Sequence, residues 1–291
     1  MTAWCRIRDD SGAVVAARGN GRLRRVRVDG QPVRDLHPII RGEVAAADVE
    51  FGEPIALADA RLLAPMGSFP RNIFCIGKNY RAHALEFTTS GFDASAGAAT
   101  PTDVIPTAPI VFSKPFTSVI GPGDVIESHP TLTEKLDYEA ELAVVIGRGG
   151  RDIALPDALD HVFGYTIVND VTARDRQQTH RQWLLGKGLD TFCPMGPAVV
   201  TAEEIDLANA VVECRVNGEL RQKAPVADLI FDVPTLIRDL SAGMTLVSGD
   251  VIATGTPAGV GIGFDPPRFL KPGDEVAATI EPIGTLTNRI G

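Results

Sequence analysis

The sequence predicts an α+β protein in which β-strands dominate. The chain has 29 glycines and 21 prolines, most of them at turns between runs of β-branched residues. Helical patterns are few by comparison. Hydrophobic residues make up 44% of the chain and charged residues 22%, so folding can bury enough apolar surface to offset the loss of chain entropy.

The first part of the chain, residues 1–68, is expected to form a small α/β domain. It opens with strand-like runs, and residues 48–63 have the pattern of a helix. Prolines at Pro65 and Pro70 indicate a boundary. The remaining residues, 69–291, then form a larger β-rich domain, a division that a length of 291 residues permits.

The larger domain begins with a buried strand followed by a short helix, at residues 72–77 and 79–87. The small and polar residues of about 87–108 are expected to form a flap, because loops of that length in a compact domain usually have a function or are disordered. Strand-like runs separated by turns follow, and they make up most of the rest of the chain.

Two later elements have clear boundary signals. Asn217-Gly218 between two strand-like runs predicts a hairpin, since both central residues of a type I′ turn need a positive φ. A helix is predicted over residues 233–243, with Pro234 in its first turn and Gly243 at its end. The four scattered cysteines are expected to be buried free thiols.

Charge and hydropathy exclude several classes of protein. With 28 Lys and Arg against 37 Asp and Glu, the net charge is −9, which disfavours nucleic acid as a partner. No run approaches the roughly 18 to 20 apolar residues that a membrane span requires. Residues 1–10 lack the apolar core of a signal peptide. We therefore expect a cytoplasmic protein without a membrane partner.

Three carboxylates are candidates for a metal site. Glu139 and Glu141 are two apart in a strand-like run, so their side chains project to the same face about 7 Å apart and repel unless a cation lies between them. Asp170 ends another apolar strand. Oxygen ligands favour Mg²⁺, Mn²⁺ or Ca²⁺ over zinc or copper. The alternative is that Glu139 and Glu141 lie on a solvent-facing strand edge.

Six segments together closely resemble the fumarylacetoacetate hydrolase family, in its acylpyruvate hydrolase and hydroxymuconate isomerase-decarboxylase branch. They are GKNYRAHALEF, DYEAELAVVIG, GYTIVNDVTARDRQ, LGKGLDTFCPMGP, VNGELRQ and SGDVIATGTPAGVG. The resemblance runs from about residue 72 to the C-terminus. It implies a rolled mixed β-sheet, a homodimer, and a metal held by Glu139, Glu141 and Asp170, with Mg²⁺ or Mn²⁺ expected and Ca²⁺ as an alternative.

His83 and Glu86 are three residues apart on the predicted helix and therefore on one face. A lone histidine is more often structural, but the resemblance implies a catalytic dyad. Glu86 would orient His83, which would take a proton from water. Such water activation favours bond cleavage over isomerisation.

The resemblance gives further residues a place in the site. Lys187, flanked by glycines, is either a surface charge or a cation that stabilises an enolate. Arg174 and Gln177 would lie beside the substrate, although Arg174 could instead pair with Asp170 or Asp175. Thr256 would contact the substrate carboxylate, and Tyr80, with Lys78, could line the pocket or simply pack. The glycine-rich residues 255–263 lack the Gly-Lys-Ser/Thr of a phosphate loop.

These residues predict a metal-dependent hydrolase that cleaves a C–C bond in an acylpyruvate-type β-diketo acid through an enolate, in aromatic catabolism. The substrate would be a small anionic keto acid related to fumarylpyruvate or fumarylacetoacetate. One alternative is an oxaloacetate decarboxylase, or an isomerase or decarboxylase of 2-hydroxyhepta-2,4-diene-1,7-dioate. A more distant alternative is a non-catalytic binding protein of the same fold.

Overall fold

The computed structural model describes residues 3–19, 21–44, 46–91, 104–180 and 182–291. Most of the predicted flap, residues 92–103, therefore lies outside the described residues. Strands greatly outnumber helices within the described ranges, and the prediction of a β-rich α+β fold is confirmed.

In the N-terminal part, the described residues form six strands and one short α-helix: β1 Ala3–Asp9, β2 Gly12–Gly19, β3 Arg22–Val28, β4 Gln31–Pro32, α1 His37–Ile40, β5 Glu50–Ala56 and β6 Arg61–Leu63. The predicted helix over residues 48–63 is wrong. This segment forms β5, which pairs with β3, and β6, which pairs with β1. Gly52 and Pro54 lie inside β5, and both residue types disfavour a helix interior.

The described residues after β6 include four α-helices: α2 Arg81–Thr89, α3 Arg174–His180, α4 Leu184–Lys187 and α5 Val233–Ser241. Its strands are β7 Ile73–Gly77, β8 Ile110–Lys114, β9 Val119–Ile120, β10 Val125–Ile126, β11 Leu136–Asp137, β12 Ala140–Ile146, β13 Val162–Asn169, β14 Thr172–Ala173, β15 Cys193–Thr201, β16 Val211–Val216, β17 Glu219–Pro225, β18 Val251–Ala253, β19 Glu275–Ile280 and β20 Gly284–Ile290. The predicted strand β7 and helices α2 and α5 are confirmed.

The main sheet has thirteen strands and is mixed. Its path runs β4-β3-β2-β1-β15-β13-β12-β18-β7-β8, with β5, β6 and β9 paired at its side. The pair of β18 and β7 is parallel, whereas β12 is antiparallel to both β13 and β18. Because β1 pairs with β15, the N-terminal strands continue the sheet of the larger part. The proposed division between residues 68 and 69 stays a prediction.

A second sheet of five strands, in the order β10-β20-β19-β16-β17, packs against the first through one apolar core. Its β16–β17 hairpin turns at Asn217 and Gly218, both with positive φ (51° and 81°), as a type I′ turn requires. The predicted hairpin is confirmed.

The centre of the main sheet is buried on both faces. Every residue of β12 is buried, and Leu142 and Val144 pack in one apolar cluster while Ala143 and Val145 pack in another. All four cysteines are buried and free, as predicted. Across the described ranges, no helix is both long and apolar enough to cross a membrane.

Candidate active site

The three predicted metal-ligating acids meet where two central strands pair. Ala140, at the start of β12, is opposite Asn169, at the end of β13. Glu139 directly precedes β12, Glu141 lies within it, and Asp170 directly follows β13. All three are buried, and one carboxylate oxygen from each lies within 4.8 Å of the others. The alternative of a solvent-facing strand edge is wrong.

Lys187 connects two of these acids. Its ammonium lies 2.8 Å from Glu139 Oε2 and 2.6 Å from Asp170 Oδ2, and it also donates a hydrogen bond to the hydroxyl of Thr172. The Lys187 side chain is only 2% exposed. The alternative of a surface charge is therefore wrong, and the lysine at the end of α4 belongs to the acid cluster.

The pKa values of the two glutamates shift in opposite directions, although both side chains are buried. Although burial alone would raise the pKa of Glu139, the nearby charges of Lys187 and Arg174 hold it well below its usual value. Burial raises the pKa of Glu141 well above its usual value, and the negative charges of Asp170 and Glu139 raise it further. We attribute the difference to the positions of Lys187 and Arg174, which both contact Glu139.

The acid cluster has the composition of a site for a hard divalent cation. Glu141 accepts a hydrogen bond from the Gly255 N–H at 2.8 Å. Glu139 contacts both Arg174 and Lys187, whereas the repulsion of Glu141 by Asp170 and Glu139 outweighs its attraction to Lys187. A divalent cation among three carboxylates would relieve this repulsion. All-oxygen ligation fits Mg²⁺, Mn²⁺ or Ca²⁺ rather than a thiophilic metal.

Arg174, at the start of α3, is buried and holds three partners. Its guanidinium is 2.6 Å from Glu139 Oε1 and 2.9 Å from Asp137 Oδ2, and it donates to Gln177 Oε1 at 3.1 Å. The expected alternative partners, Asp170 and Asp175, are not the ones observed. Instead, Asp137 fixes the guanidinium from one side so that it contacts Glu139 on the other.

His83 and Glu86 lie on one face of α2, as their spacing predicts. His83 Nδ1 is 3.2 Å from Glu86 Oε2. A carboxylate can only accept this hydrogen bond, so Nδ1 donates; in the neutral imidazole the other ring nitrogen, Nε2, then carries the lone pair. His83 is 4% exposed and lines the same cavity as Glu139 and Glu141.

This cavity has one polar and one aromatic wall. Besides the acids, its lining includes the following residues: Ile76, Gly77, Lys78, His83, Phe87, Phe112, Arg174, Gln177, Trp183, Lys187 and Thr256. Trp183 makes edge-to-face contacts with Phe87 and Phe112, with ring centroids 5.9 and 5.2 Å apart. A Cβ at Gly77 would lie 2.3 Å from the Trp183 ring, so the indole needs glycine there.

Comparison with known proteins agrees with this geometry. The family described as "Fumarylacetoacetate (FAA) hydrolase C-terminal" matches residues 72–291. The chain belongs to the fumarylacetoacetate hydrolase family. It is 54% identical over 237 residues to oxaloacetate tautomerase YisK of Bacillus subtilis (strain 168), covering 81% of this chain and 75% of that protein. It is 43% identical to the mitochondrial oxaloacetate tautomerase fahd2 of Xenopus laevis, covering 81% and 70%.

Solved structures of fumarylacetoacetate hydrolase family proteins share the fold. A fumarylacetoacetate hydrolase from Exiguobacterium antarcticum superposes with a TM-score of 0.82 at 41% identity, covering 100% of this chain and 99% of that one. A 2-hydroxyhepta-2,4-diene-1,7-dioate isomerase from Mycobacterium marinum gives a TM-score of 0.75 at 36% identity, covering 100% and 98%. The protein is an enzyme of this family, and the predicted membership in its isomerase-like branch is confirmed.

Thr256 and Tyr80 are both expected beside the substrate, but only Thr256 is among the described residues that line the cavity. Thr256 lines the cavity, but its hydroxyl donates to the Ala140 carbonyl at 2.9 Å and accepts from the Gln222 amide at 2.8 Å. Among the described residues that line the cavity, Tyr80 is missing. The backbone of Tyr80 pairs with Leu229, and both residues line a neighbouring cavity instead. The roles of Arg174, Gln177 and Thr256 toward substrate stay predictions.

The sequence reasoning missed two charged residues of the site. Lys114, at the end of β8, is 0% exposed and its ammonium contacts Asp170 Oδ1 at 2.6 Å. Asp137, at the end of β11, holds Arg174. Both could have been found, since Lys114 closes an apolar strand and Asp137 lies two residues before Glu139.

Proposed function

We propose that this enzyme uses a divalent metal to interconvert the enol and keto forms of a small 2-oxo dicarboxylate, with oxaloacetate as the first candidate. The observation that carries the proposal is the 54% identity to an oxaloacetate tautomerase over a segment that includes every acid, lysine and arginine of the site. The proposal is nearer to the alternative predicted from the sequence, an oxaloacetate decarboxylase or a 2-hydroxyhepta-2,4-diene-1,7-dioate isomerase or decarboxylase, than to hydrolysis of an acylpyruvate. It differs from that alternative in the reaction, which is enol–keto conversion.

The size of the cavity supports a small substrate. The space inside it, about 270 Å³ including open solvent at its mouth, sets an upper limit on the volume of the ligand that it can hold. Phe87, Phe112 and Trp183 close one side, and a four-carbon diacid needs no further apolar pocket. A longer acyl chain would require these aromatic side chains to move.

The charges of the site support an anionic substrate. The site has equal numbers of buried carboxyl groups and buried cations, four of each: Asp137, Glu139, Glu141 and Asp170 against Lys78, Lys114, Arg174 and Lys187. When bound, the divalent metal would supply Lewis-acid stabilisation of enolate charge, and it would also make the cluster net positive. A dicarboxylate then enters a field of opposite sign, in a cavity where water screens little.

We assign the proton transfer to His83, which lines the cavity together with Glu139 and Glu141. Enol-to-keto conversion adds a proton at one carbon and removes one from the enol oxygen, and a neutral imidazole can carry out such transfers near neutral pH. With Nδ1–H donated to Glu86, Nε2 is the atom available to the substrate. Arg174 and Gln177 would orient a carboxylate, and Lys187 would stabilise the enolate oxygen.

The His83–Glu86 pair also supports a second candidate function, the hydrolysis of an acylpyruvate. The same Nε2 could take a proton from a water that attacks the distal carbonyl, and the C–C bond would then break to release pyruvate enolate. Decarboxylation of oxaloacetate would use the same enolate with CO₂ as the departing group.

We further propose that the metal is Mg²⁺ or Mn²⁺ and that the enzyme is a homodimer. Oxygen-only ligation supports the metal, and the family resemblance supports the dimer. Four apolar side chains on and beside α4 and β8 are close to half exposed: Val111, Phe116, Leu184 and Leu185. Burying them against a second copy of the chain would remove apolar surface from water and so stabilise a dimer. Light scattering on the purified protein tests the dimer.

One set of assays separates the candidate reactions. Purified enzyme with Mg²⁺ is given enol-oxaloacetate, and loss of enol absorbance is followed together with release of CO₂ and pyruvate. Acetylpyruvate and fumarylpyruvate are assayed for pyruvate in parallel. We expect catalysed enol loss without CO₂, abolished by a chelator. Pyruvate formation from an acylpyruvate at a higher kcat/KM would instead establish the hydrolase.

A further inference from the structure

The carboxylate of Glu86 is bound by the backbone of a distant loop. The Gly259 N–H lies 3.0 Å from Glu86 Oε1 and 3.2 Å from Oε2, while Oε2 also accepts from His83. Gly259 is 173 residues further along the chain. The dyad therefore depends on a contact between α2 and the glycine-rich residues 259–263.

Gly263 makes space for this carboxylate. A Cβ built on Gly263 would lie 1.7 Å from Glu86 Oε1 and 2.2 Å from its carboxyl carbon. The backbone of Gly263 is outside the left-handed region, so its conformation suits alanine as well as glycine. The three described atoms nearest to such a Cβ all belong to the Glu86 side chain, so Glu86 is the first obstacle to a side chain at this position.

The same loop also holds the acid that orients Arg174. Gly261 N–H and Ile262 N–H donate to the two oxygens of Asp137 at 2.6 and 3.2 Å. Asp137 in turn fixes Arg174, which contacts Glu139. Five residues of backbone thus hold one carboxylate of the dyad and one carboxylate beside the metal ligands.

We propose that residues 259–263 are a receptor for the Glu86 carboxylate, and that Gly263 is a positioning residue whose missing side chain allows α2 to place His83 over the metal ligands. The backbone N–H groups of this glycine-rich segment bind a carboxylate of the protein itself, in place of the phosphate that such segments often bind. The expected effect on catalysis rests on the proposed function, in which His83 transfers a proton. The packing of α2 against residues 259–263 does not depend on that function.

Substitution of Gly263 by alanine tests the docking without substrate. Trp183 packs against Phe87 of α2, and the chain has one other tryptophan, Trp4. In a Trp4→Phe background, Gly263→Ala should shift the fluorescence emission of Trp183 and should increase deuterium uptake in residues 81–89. The matched control is Gly52→Ala, whose Cβ would meet its nearest neighbour at an ordinary 3.6 Å.

The catalytic readout is separate. Gly263→Ala should lower kcat at least 10-fold while the affinity for Mn²⁺, measured by calorimetry, stays within 2-fold. If the docking readouts change but no keto acid is turned over by the parent enzyme, the receptor stands and the proposed function fails. Parent-like emission, uptake and kcat in Gly263→Ala would overturn the receptor.

A double-mutant cycle covers the case in which Gly263→Ala is unstable for another reason. Glu86→Ala removes the carboxylate that Gly263 accommodates, so it should loosen residues 81–89 by itself. Adding Gly263→Ala to Glu86→Ala should then change neither the uptake of this segment nor the melting temperature further. Additive losses in the double variant would show that Gly263 acts independently of Glu86 and would refute the proposal.

Discussion

The ammonium of Lys114 lies 2.6 Å from Asp170 Oδ1, and both side chains are fully buried. The other oxygen of Asp170 is equally close to Lys187, so the carboxylate is held between two lysines. Lys114 also donates to the backbone carbonyls of Val171 and Lys187. It therefore joins the loop after β13 to the end of α4 and fixes the orientation of a predicted metal ligand.

Replacing Lys114 by methionine should destabilise the protein by about 3 kcal/mol. Breaking a buried ion pair from one side typically costs about 3–5 kcal/mol, and Asp170 keeps Lys187. The matched control is Lys223→Met, since Lys223 is 58% exposed and pairs with Glu213; such a surface pair contributes about 0–1 kcal/mol. Urea unfolding of both variants measures the difference, and equal losses would contradict a structural role for Lys114.

Glu141→Gln should have opposite effects on stability and on metal binding. Because the folded-state pKa of Glu141 is raised, the folded metal-free protein retains a proton that the unfolded chain releases above about pH 4.5. Stability then falls as pH rises between the unfolded and folded pKa values. Glutamine removes this slope, so metal-free Glu141→Gln should be more stable than the parent at pH 8.

The same variant should bind Mn²⁺ at least 10-fold more weakly, because one of three carboxylate ligands is lost. Thermal melts at pH 5 and pH 8, each with and without Mn²⁺, measure both effects. A metal-free variant that melts below the parent at pH 8 would mean that Glu141 is not penalised by its negative neighbours.

His83→Ala should reduce kcat by about 10²–10⁴-fold, the usual contribution of a general acid or base. The affinity for Mn²⁺ should be unchanged, because His83 is not one of the clustered acids. His180→Ala, at an exposed position near the end of α3, is the control and should keep parental kcat. Retention of full turnover by His83→Ala would remove the dyad from the reaction.

Asp35 should stabilise the N-terminal part in a pH-dependent way. Despite partial burial, hydrogen bonds from His37 and Ser68 hold its pKa well below the usual value. The stabilisation is therefore present above about pH 4 and is lost as pH falls through the lowered pKa. Asp35→Asn should cost about 1 kcal/mol at pH 7 and less at pH 2.5, as measured by urea unfolding. The exposed Asp10→Asn is its control.

Local sequence patterns predict those secondary-structure elements that are determined by the residues within the element itself. The apolar run of β12, the Asn217-Gly218 turn and helix α5 are confirmed, because periodicity, turn chemistry and caps act over a few residues. The three clustered acids were also found, since two strand ends that pair must bring their flanking residues together. The helix predicted over residues 48–63 failed because pairing with β1 and β3 outweighed local pattern.

The contacts between distant segments were beyond reach of local patterns. Lys114 lies 56 residues before Asp170, and Asp137 meets Gly261 across 124 residues. The position of Tyr80 beside the dyad in sequence predicts a place in the pocket, but its backbone pairs with Leu229 and both residues line another cavity. By contrast, the contact between His83 and Glu86 lies within one helix, so their spacing of three residues is enough to predict it.

The pairing of β1 with β15 has a consequence for any shortened form of the enzyme. The family match begins at residue 72, but a fragment cut there would lose the strand that pairs with Val199 and Val200. The backbone donors and acceptors of Val199 and Val200 would then lie at an open strand edge, and such an edge is a template for self-association. In the intact chain, β1 covers this part of the β15 edge.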